Sequence, residues 1–236
     1  MSNEARPRPS LLSHWRERYR EAGLSVILAL LATIIFVVSP LAGVGWFSAE
    51  AIEALRFAMA AIAILIVSRN RLVAAAVAAT FAVSLVLTLA LRTGAPSQAI
   101  YLVNIGITMA FDLAVAWTVA HAAFDAGRIS IHRIMGAVIL YLYIGLIFSS
   151  LYRLMAVFLH PSFGGLPIGR RNFSELLYFS LTTLTTSGYG DIVPVHPFVR
   201  SLANLESVIG QLYPATFLAR LVTLHGAEMG PPKGED

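Results

Sequence analysis

Residues 185–191 read Thr-Thr-Ser-Gly-Tyr-Gly-Asp, and this TTSGYGD segment directly follows a mostly apolar stretch at residues 173–184. Two prolines and a long apolar run come after it. Gly188 and Gly190 occupy alternate positions, and glycine adopts positive φ without the Cβ clash that other residues suffer. The segment therefore predicts a backbone that alternates between right- and left-handed conformations.

An alternating backbone can turn successive carbonyl oxygens toward one side. A potassium ion that crosses a membrane must exchange its water shell for other oxygens, and backbone carbonyls are the nearest ones. The Thr186 hydroxyl would add a further oxygen at the inner end of such a path. The TTSGYGD segment is thus suited to line an ion path, because irregular backbone at membrane depth is tolerated only inside protein or along a water-filled route.

The composition of the chain indicates an integral membrane protein. Hydrophobic residues make up 57% of the 236 residues and charged residues only 13%, against about 25% in soluble domains. Cysteine is absent, so disulfides and thiolate metal sites are excluded. No metal-ligand spacing and no nucleophile–base pair is evident, so we expect neither an enzyme nor a cofactor. The net charge of +4 is carried by arginine and suits lipid head groups rather than nucleic acid.

The flanks of the TTSGYGD segment fit a membrane pore. Asn172 followed by Glu175 is typical of a helix start, and a helix over 173–184 is too short to span a bilayer, which takes about 20 residues. Long apolar runs at 131–159 and 197–224 lie on either side. This order of helix, re-entrant helix, irregular segment and helix resembles the bacterial two-helix ion-channel family. T-T-S-G-Y-G-D resembles the selectivity-filter signature of its potassium channels.

The resemblance implies a homotetramer in which each chain contributes one strand of the filter. The carbonyls that would bind K+, the permeant ion, belong to Thr186, Ser187, Gly188 and Tyr189. Gly190 would complete the turn, and Asp191 would concentrate cations at the outer mouth. The re-entrant helix, with Thr182, Thr183 and Thr185, would direct its C-terminal end toward the pore cavity, where its partial negative charge favours a cation.

Two residues depart from the commonest family pattern. Ser187 stands where valine or isoleucine is usual, and a smaller polar side chain packs less tightly behind the filter. Thr182 stands where some members place a carboxylate, and a hydroxyl would hold Tyr189 and Asp191 less firmly. Both departures bear on how sharply potassium would be preferred over sodium.

The last apolar run should line the inner pore. Gly210 and Pro214 both weaken a straight helix and favour a hinge at an inner gate, although Gly210 could instead allow close helix packing. Glu206 is an ionisable residue inside this helix. We expect it to support the filter by a hydrogen bond to Thr182 or Thr183, or else to face the ion path.

The whole chain predicts an all-α fold of six spanning helices plus the re-entrant helix. The apolar runs lie at 24–47, 51–67, 72–91, 99–124, 131–159 and 197–224, and Pro40 should bend or end the first. The predicted divisions are a cytoplasmic N-terminal segment (1–23), a four-helix module (24–127), a pore domain (128–225) and a short tail (226–236). No cytoplasmic gating domain is expected after the tail.

Placing both termini in the cytoplasm puts most of the 17 Lys and Arg residues inside, as the positive-inside rule requires. With the family resemblance, this predicts a multi-pass protein of the bacterial inner membrane. The fourth run contains no arginine, so it lacks the ladder of a voltage sensor. It carries Asp112 instead, which could be a proton-sensitive switch but better fits a hydrogen bond between helices.

These patterns predict a potassium-selective channel that conducts passively, with a gating stimulus that the sequence does not specify. A weakly selective monovalent cation channel is the first alternative, and Ser187 suggests it. A potassium transporter component is another, although such proteins carry several degenerate filter loops in one chain. The remaining alternative is a non-conducting regulatory subunit.

Overall fold

The computed structural model describes residues 25–44, 98–124, 131–166 and 173–229, with isolated positions between 46 and 87. The second and third predicted spans, at 51–67 and 72–91, lie largely outside the described residues. The N-terminal segment and most of the tail lie outside them as well. Of the four-helix module, only the first and fourth helices can therefore be compared with the prediction.

The described chain is almost entirely helical. Its elements are α1 (25–43), α2 (Gln98–Phe124), α3 (Ile131–Phe158), β1 (Phe163–Gly164), α4 (Phe173–Leu184), β2 (Val193–Pro194) and α5 (Pro197–Met229). The fourth, fifth and sixth predicted helices are present as α2, α3 and α5, and the re-entrant helix is present as α4 with the predicted bounds.

Two of the described helices are long and apolar enough to cross a bilayer. These stretches are Gln98–His121 of α2 and Ile134–Phe158 of α3. The 33-residue α5 does not reach the same hydropathy because polar residues recur along it. The two helices point to a membrane protein, while the full count of six spans stays a prediction.

Helix α1 changes its winding just before a proline. Residues Ile34–Val38 form a π-helical turn, and the helix then continues over Ser39–Gly43. A proline ring in a regular α-helix clashes with the carbonyl four residues earlier, and a wider turn relieves this clash. Pro40 thus distorts the first helix, as predicted, without ending it at that point.

One apolar core joins α1, α2, α3 and the start of α4. Its buried side chains include Ile27, Leu31 and Ile34 of α1, Phe111 and Val115 of α2, Ile139 and Tyr143 of α3, and Phe173 and Leu177 of α4. Asp112 of α2 is also buried, with 3% of its surface exposed, which fits its predicted place between helices. The core attaches the first module to the helix that precedes the TTSGYGD segment.

A second core of aromatic side chains holds α4 between α3 and α5. The Tyr152 ring lies 4.9 Å from that of Phe179 and 5.7 Å from that of Phe163, both edge-on. Val199 and Ala203 of α5 close the cluster. Edge-to-face aromatic packing adds to the gain from burial, so this core fixes α4 relative to both of its neighbours.

The loops on either side of α4 and the TTSGYGD segment are paired with each other. Strands β1 and β2 are antiparallel, with Phe163 opposite Pro194. Gly165 has a φ of +81°, and a Cβ there would lie 1.9 Å from the Asp191 carbonyl oxygen. The chain therefore returns close to its starting point after the segment, which closes it into a tight re-entrant loop.

Candidate ion-conducting site

The TTSGYGD segment has the alternating backbone that its glycines predict. Gly188 and Gly190 have φ values of +50° and +82°. Thr186 also lies at positive φ, at +58°, and it is the only non-glycine residue to do so in the described part of the chain. Positive φ therefore recurs at every second residue. This alternation orients successive peptide groups so that their carbonyl oxygens can point to the same side of the backbone.

The end of α4 anchors the segment. The backbone N–H groups of Ser187 and Gly188 both donate to the Thr182 carbonyl, with N–O distances of 2.8 and 3.2 Å. The Thr186 N–H donates to the Thr183 carbonyl at 2.9 Å. These bonds use carbonyls that a helix end leaves without intrahelical partners. Threonines at the end of α4 thus fix where the alternating backbone begins.

The side chains of the segment contact α4 and one another. The Tyr189 ring stacks on Tyr178 of α4, with centroids 6.3 Å apart and an interplanar angle of 5°. The Ser187 hydroxyl lies 3.0 Å from that of Thr185. The Thr182 hydroxyl donates to the Phe179 carbonyl within its own helix, so its proton is not available to Asp191 or Tyr189.

The segment is exposed in the single chain. Each of residues 185–191 is classed as exposed, and Tyr189 shows 74% of its surface. A Cβ added at Gly188 or Gly190 would meet no atom within 4 Å. Glycine is needed at these two positions for backbone conformation, since space alone would admit a side chain in the protomer.

Helix α5 packs tightly against the end of α4 at Gly210. A Cβ at this position would lie 1.8 Å from the Leu184 carbonyl oxygen, the last residue of α4. Close packing, one of the two roles considered for Gly210, is therefore a feature of the structure. Helix α5 runs without interruption through Gly210 and Pro214, and the hinge stays a prediction.

Hydroxyl groups from both neighbouring helices donate to the end of α4. The Tyr141 hydroxyl of α3 donates to the Leu184 carbonyl at 3.1 Å, and the Ser207 hydroxyl of α5 donates to the Thr183 carbonyl at 3.3 Å. Sequence reasoning missed both contacts. They satisfy carbonyls at the helix end and hold it at a fixed distance from α3 and α5.

Glu206 of α5 is fully buried behind the segment. The Tyr152 hydroxyl donates to its Oε2 at 2.6 Å, and the Ser180 hydroxyl lies 2.5 Å from its Oε1. The same Ser180 hydroxyl lies 2.7 Å from the Gly145 carbonyl. The expected bond to α4 thus exists, but its partner is Ser180 and not Thr182 or Thr183. Glu206 thus faces the interior of the protomer.

Gln211 of α5 contacts the inner end of the segment. Its Nε2 donates to the Thr186 hydroxyl oxygen at 2.9 Å. That hydroxyl in turn donates to the Thr185 carbonyl at 2.7 Å. Nothing in the local sequence pattern marks Gln211, because the contact joins residues that are 25 positions apart in the chain.

A buried arginine lies where the first module meets α4. The Arg153 guanidinium of α3 is 5.5 Å from the Tyr101 ring centroid of α2 and 5.6 Å from that of Phe173, the first residue of α4. Cation–π contacts of this kind are stronger when water is excluded. Among the described residues, no group of three His, Asp or Glu side chains is placed to hold a metal ion.

Comparison with known proteins identifies the part of the chain that contains this site. Residues 136–225 match the family model described as "Ion channel", which covers α3, α4, the TTSGYGD segment and most of α5. No curated protein and no solved structure matches the chain. The match supports an ion-channel pore domain at residues 136–225.

Proposed function

We propose that the protein is a potassium channel in which the backbone of residues 186–190, together with the same residues of three further copies, forms the selectivity filter. The observation that carries the proposal is the positive φ at Thr186, Gly188 and Gly190, one at every second residue. Few other roles require this conformation at the end of a short apolar helix. The match of residues 136–225 to an ion-channel family supports the ion-channel part of this proposal.

The proposed mechanism is selective dehydration. An ion at the axis would exchange water for the carbonyls of Thr186, Ser187, Gly188 and Tyr189 and would move down its electrochemical gradient. Asp191 is exposed beyond the last glycine, where its charge would raise the local cation concentration. No covalent step and no bound cofactor is needed.

Exposure of the TTSGYGD segment supports assembly into a homotetramer. Backbone carbonyls at membrane depth require a water-filled path enclosed by protein, and a single chain leaves the segment uncovered. Exposed apolar side chains continue along α5, including Leu205, Val208, Leu212, Leu218 and Val222. Copies that pack around an axis would cover part of this surface, and lipid would cover the outer faces of α2 and α3.

We propose that both termini lie in the cytoplasm, on the distribution of Lys and Arg, and that the membrane is the bacterial inner membrane, on the family resemblance. Helix α2, the fourth predicted span, has no arginine in Gln98–Phe124, so gating by a voltage-sensor ladder is not proposed.

Ion flux through the purified protein in liposomes tests the function. Potassium, rubidium, caesium and sodium are compared, and barium is added as a blocker. Flux of potassium and rubidium with sodium excluded is the expected result. Sodium flux equal to that of potassium would contradict selectivity. If no ion passes, a Pro214→Ala variant shows whether a closed inner helix is the cause, and continued absence of flux favours a non-conducting subunit.

A weakly selective monovalent cation channel is the second candidate, and the environment of Ser187 favours it. The Ser187 side chain is exposed and its hydroxyl contacts the Thr185 hydroxyl at 3.0 Å, where an aliphatic residue would pack. A segment that is less firmly packed adjusts more readily to the smaller sodium ion. The ratio of sodium to potassium flux in the same liposomes separates the two candidates.

A further inference from the structure

We propose that Gln211 orients the Thr186 hydroxyl and so determines ion affinity at the inner end of the TTSGYGD segment. The proposal rests on the proposed function, since it concerns an ion site on the same path. It assigns to α5 a positioning residue that acts through Thr186 and touches no ion itself.

The hydrogen bonds of the Thr186 hydroxyl define its orientation. A threonine hydroxyl has one proton and two lone pairs. The proton goes to the Thr185 carbonyl at 2.7 Å, and one lone pair accepts from Gln211 Nε2 at 2.9 Å. One lone pair is left. Gln211 thus excludes the orientation in which the hydroxyl proton points into the ion path.

The backbone around Gln211 is fixed independently of its side chain. The preceding residue, Gly210, is in contact with the Leu184 carbonyl, and Ser207 donates to the Thr183 carbonyl at 3.3 Å. These contacts, at the preceding residue and one turn earlier, hold α5 against the end of α4. The side chain of Gln211 can therefore be changed without removing the contacts that set the distance between the two helices.

Neighbouring polar groups on α5 behave differently from Gln211. The hydroxyls of Thr216 and Thr223 donate to carbonyls of their own helix, at 2.8 Å to Leu212 and 3.0 Å to Ala219. Gln211 is also exposed, yet its amide turns toward the TTSGYGD segment. Thr216 is thus a matched control: it is a polar, exposed residue of α5 without a bond to the segment.

The oxygens that replace water around an ion act best when they are oriented beforehand. Removing the Gln211 amide frees the Thr186 hydroxyl to rotate, so each copy loses one oriented oxygen. Since one neutral hydrogen bond is worth about one decade or less in an equilibrium constant and the four copies share the inner site, we expect its affinity to fall by at least roughly fivefold.

The test is equilibrium binding of Ba²⁺ to the purified full-length protein in detergent, measured by titration calorimetry with K⁺ as competitor. Barium is a divalent ion of nearly the size of potassium, and its binding is measured without an open gate. Gln211→Met keeps the length of the side chain and removes the donor, whereas Gln211→Asn is too short to reach. Both variants should weaken Ba²⁺ binding, and Thr216→Val should not.

A double-mutant cycle separates positioning from general damage to the fold. In a Thr186→Val background, Gln211→Met should cause no further loss of Ba²⁺ affinity, because the hydroxyl through which it acts is absent. An equal loss in both backgrounds would overturn the proposal. So would affinities of Gln211→Met and Gln211→Asn within twofold of the parent protein, or the absence of any Ba²⁺ binding that K⁺ competes for.

Flux distinguishes this proposal from the proposed function. Selective potassium flux with an unchanged Ba²⁺ affinity in the Gln211 variants would refute the role of Gln211 and leave the channel intact. Ba²⁺ binding that depends on Gln211, with no ion flux in either the parent protein or the Pro214→Ala variant, would refute conduction and support the ion site.

Discussion

The two sides of α4 are built in opposite ways. On the side of α3 and α5, Glu206, Tyr152 and Ser180 are buried and hydrogen-bonded to one another, and Gly210 is in contact with the Leu184 carbonyl. At its end, the TTSGYGD segment is exposed, with three residues at positive φ. The buried side forms its hydrogen bonds within a single chain. The TTSGYGD segment combines three residues at positive φ with a surface that the single chain leaves exposed.

This difference indicates which contacts stabilise the alternating backbone of the TTSGYGD segment. The alternating backbone costs energy at Thr186, since a β-branched residue disfavours the left-handed region. Such strain persists only where surrounding structure holds it. The buried side of α4 supplies part of this support, and the exposed segment is the part left for contacts between copies.

The largest effect is expected from Gly210→Ala on the buried side. The new Cβ would lie 1.8 Å from the Leu184 carbonyl oxygen, so α5 would have to move away from α4. We expect loss of the folded protein in detergent, measured as the folded fraction recovered by size-exclusion chromatography. The control is Gly106→Ala in α2, where the added Cβ meets nothing within 4 Å. Normal recovery of Gly210→Ala would show that α4 and α5 are farther apart.

A smaller loss of stability is expected from Tyr152→Phe, which removes one of the hydrogen-bond donors to the buried carboxylate of Glu206. Removing one partner of a buried polar group costs about 1–3 kcal/mol. The melting temperature in detergent should therefore fall. Tyr213→Phe serves as the control, because its hydroxyl donates at 2.8 Å to a neutral acceptor, the Ala137 carbonyl. Equal falls in melting temperature for the two variants would mean that the hydrogen bond to Glu206 stabilises the protein no more than the one to the Ala137 carbonyl.

Gly190→Ala tests the exposed side alone. An L-residue at φ of +82° costs about 1–2 kcal/mol, although there is space for the new methyl group. The expected result is lost potassium flux with a smaller fall in melting temperature than Tyr152→Phe causes, because an exposed segment can leave the left-handed conformation without disturbing the buried core. Retained selective flux would show that the left-handed conformation at this position is not needed.

The smallest effect is expected from Ser187→Val, which alters packing without altering the backbone. An aliphatic side chain would lose the contact to the Thr185 hydroxyl at 3.0 Å and would fill more space behind the carbonyls. Sodium flux relative to potassium flux should decrease. No change in this ratio would remove Ser187 as an explanation of weak selectivity.

Local sequence patterns predicted those features that depend on neighbouring residues. The bounds of α4 follow from its apolar run, and positive φ at Gly188 and Gly190 follows from the absence of a Cβ. Positive φ at Thr186 could not be predicted, because threonine itself disfavours it. The hydrogen bonds that Thr186 forms with α4 and with Gln211 depend on the fold, and the local sequence does not show them.

The contacts that sequence reasoning missed join distant parts of the chain. The Tyr152–Glu206 hydrogen bond joins residues 54 positions apart in the chain. The second partner of Glu206 is Ser180, which nothing in the sequence pattern of α4 distinguishes from its neighbours. The sequence marked Glu206 as costly to bury but gave no means of choosing among several nearby hydroxyls on α4. Only the packing of α3, α4 and α5 makes that choice.

The most direct test is the reversal potential of currents through the purified protein in a planar bilayer, with potassium on one side and sodium on the other. A filter formed by the TTSGYGD segment predicts a reversal potential close to that of an ideal potassium electrode. A potential near zero, with sodium carrying as much current as potassium, would contradict the claim that this segment selects potassium.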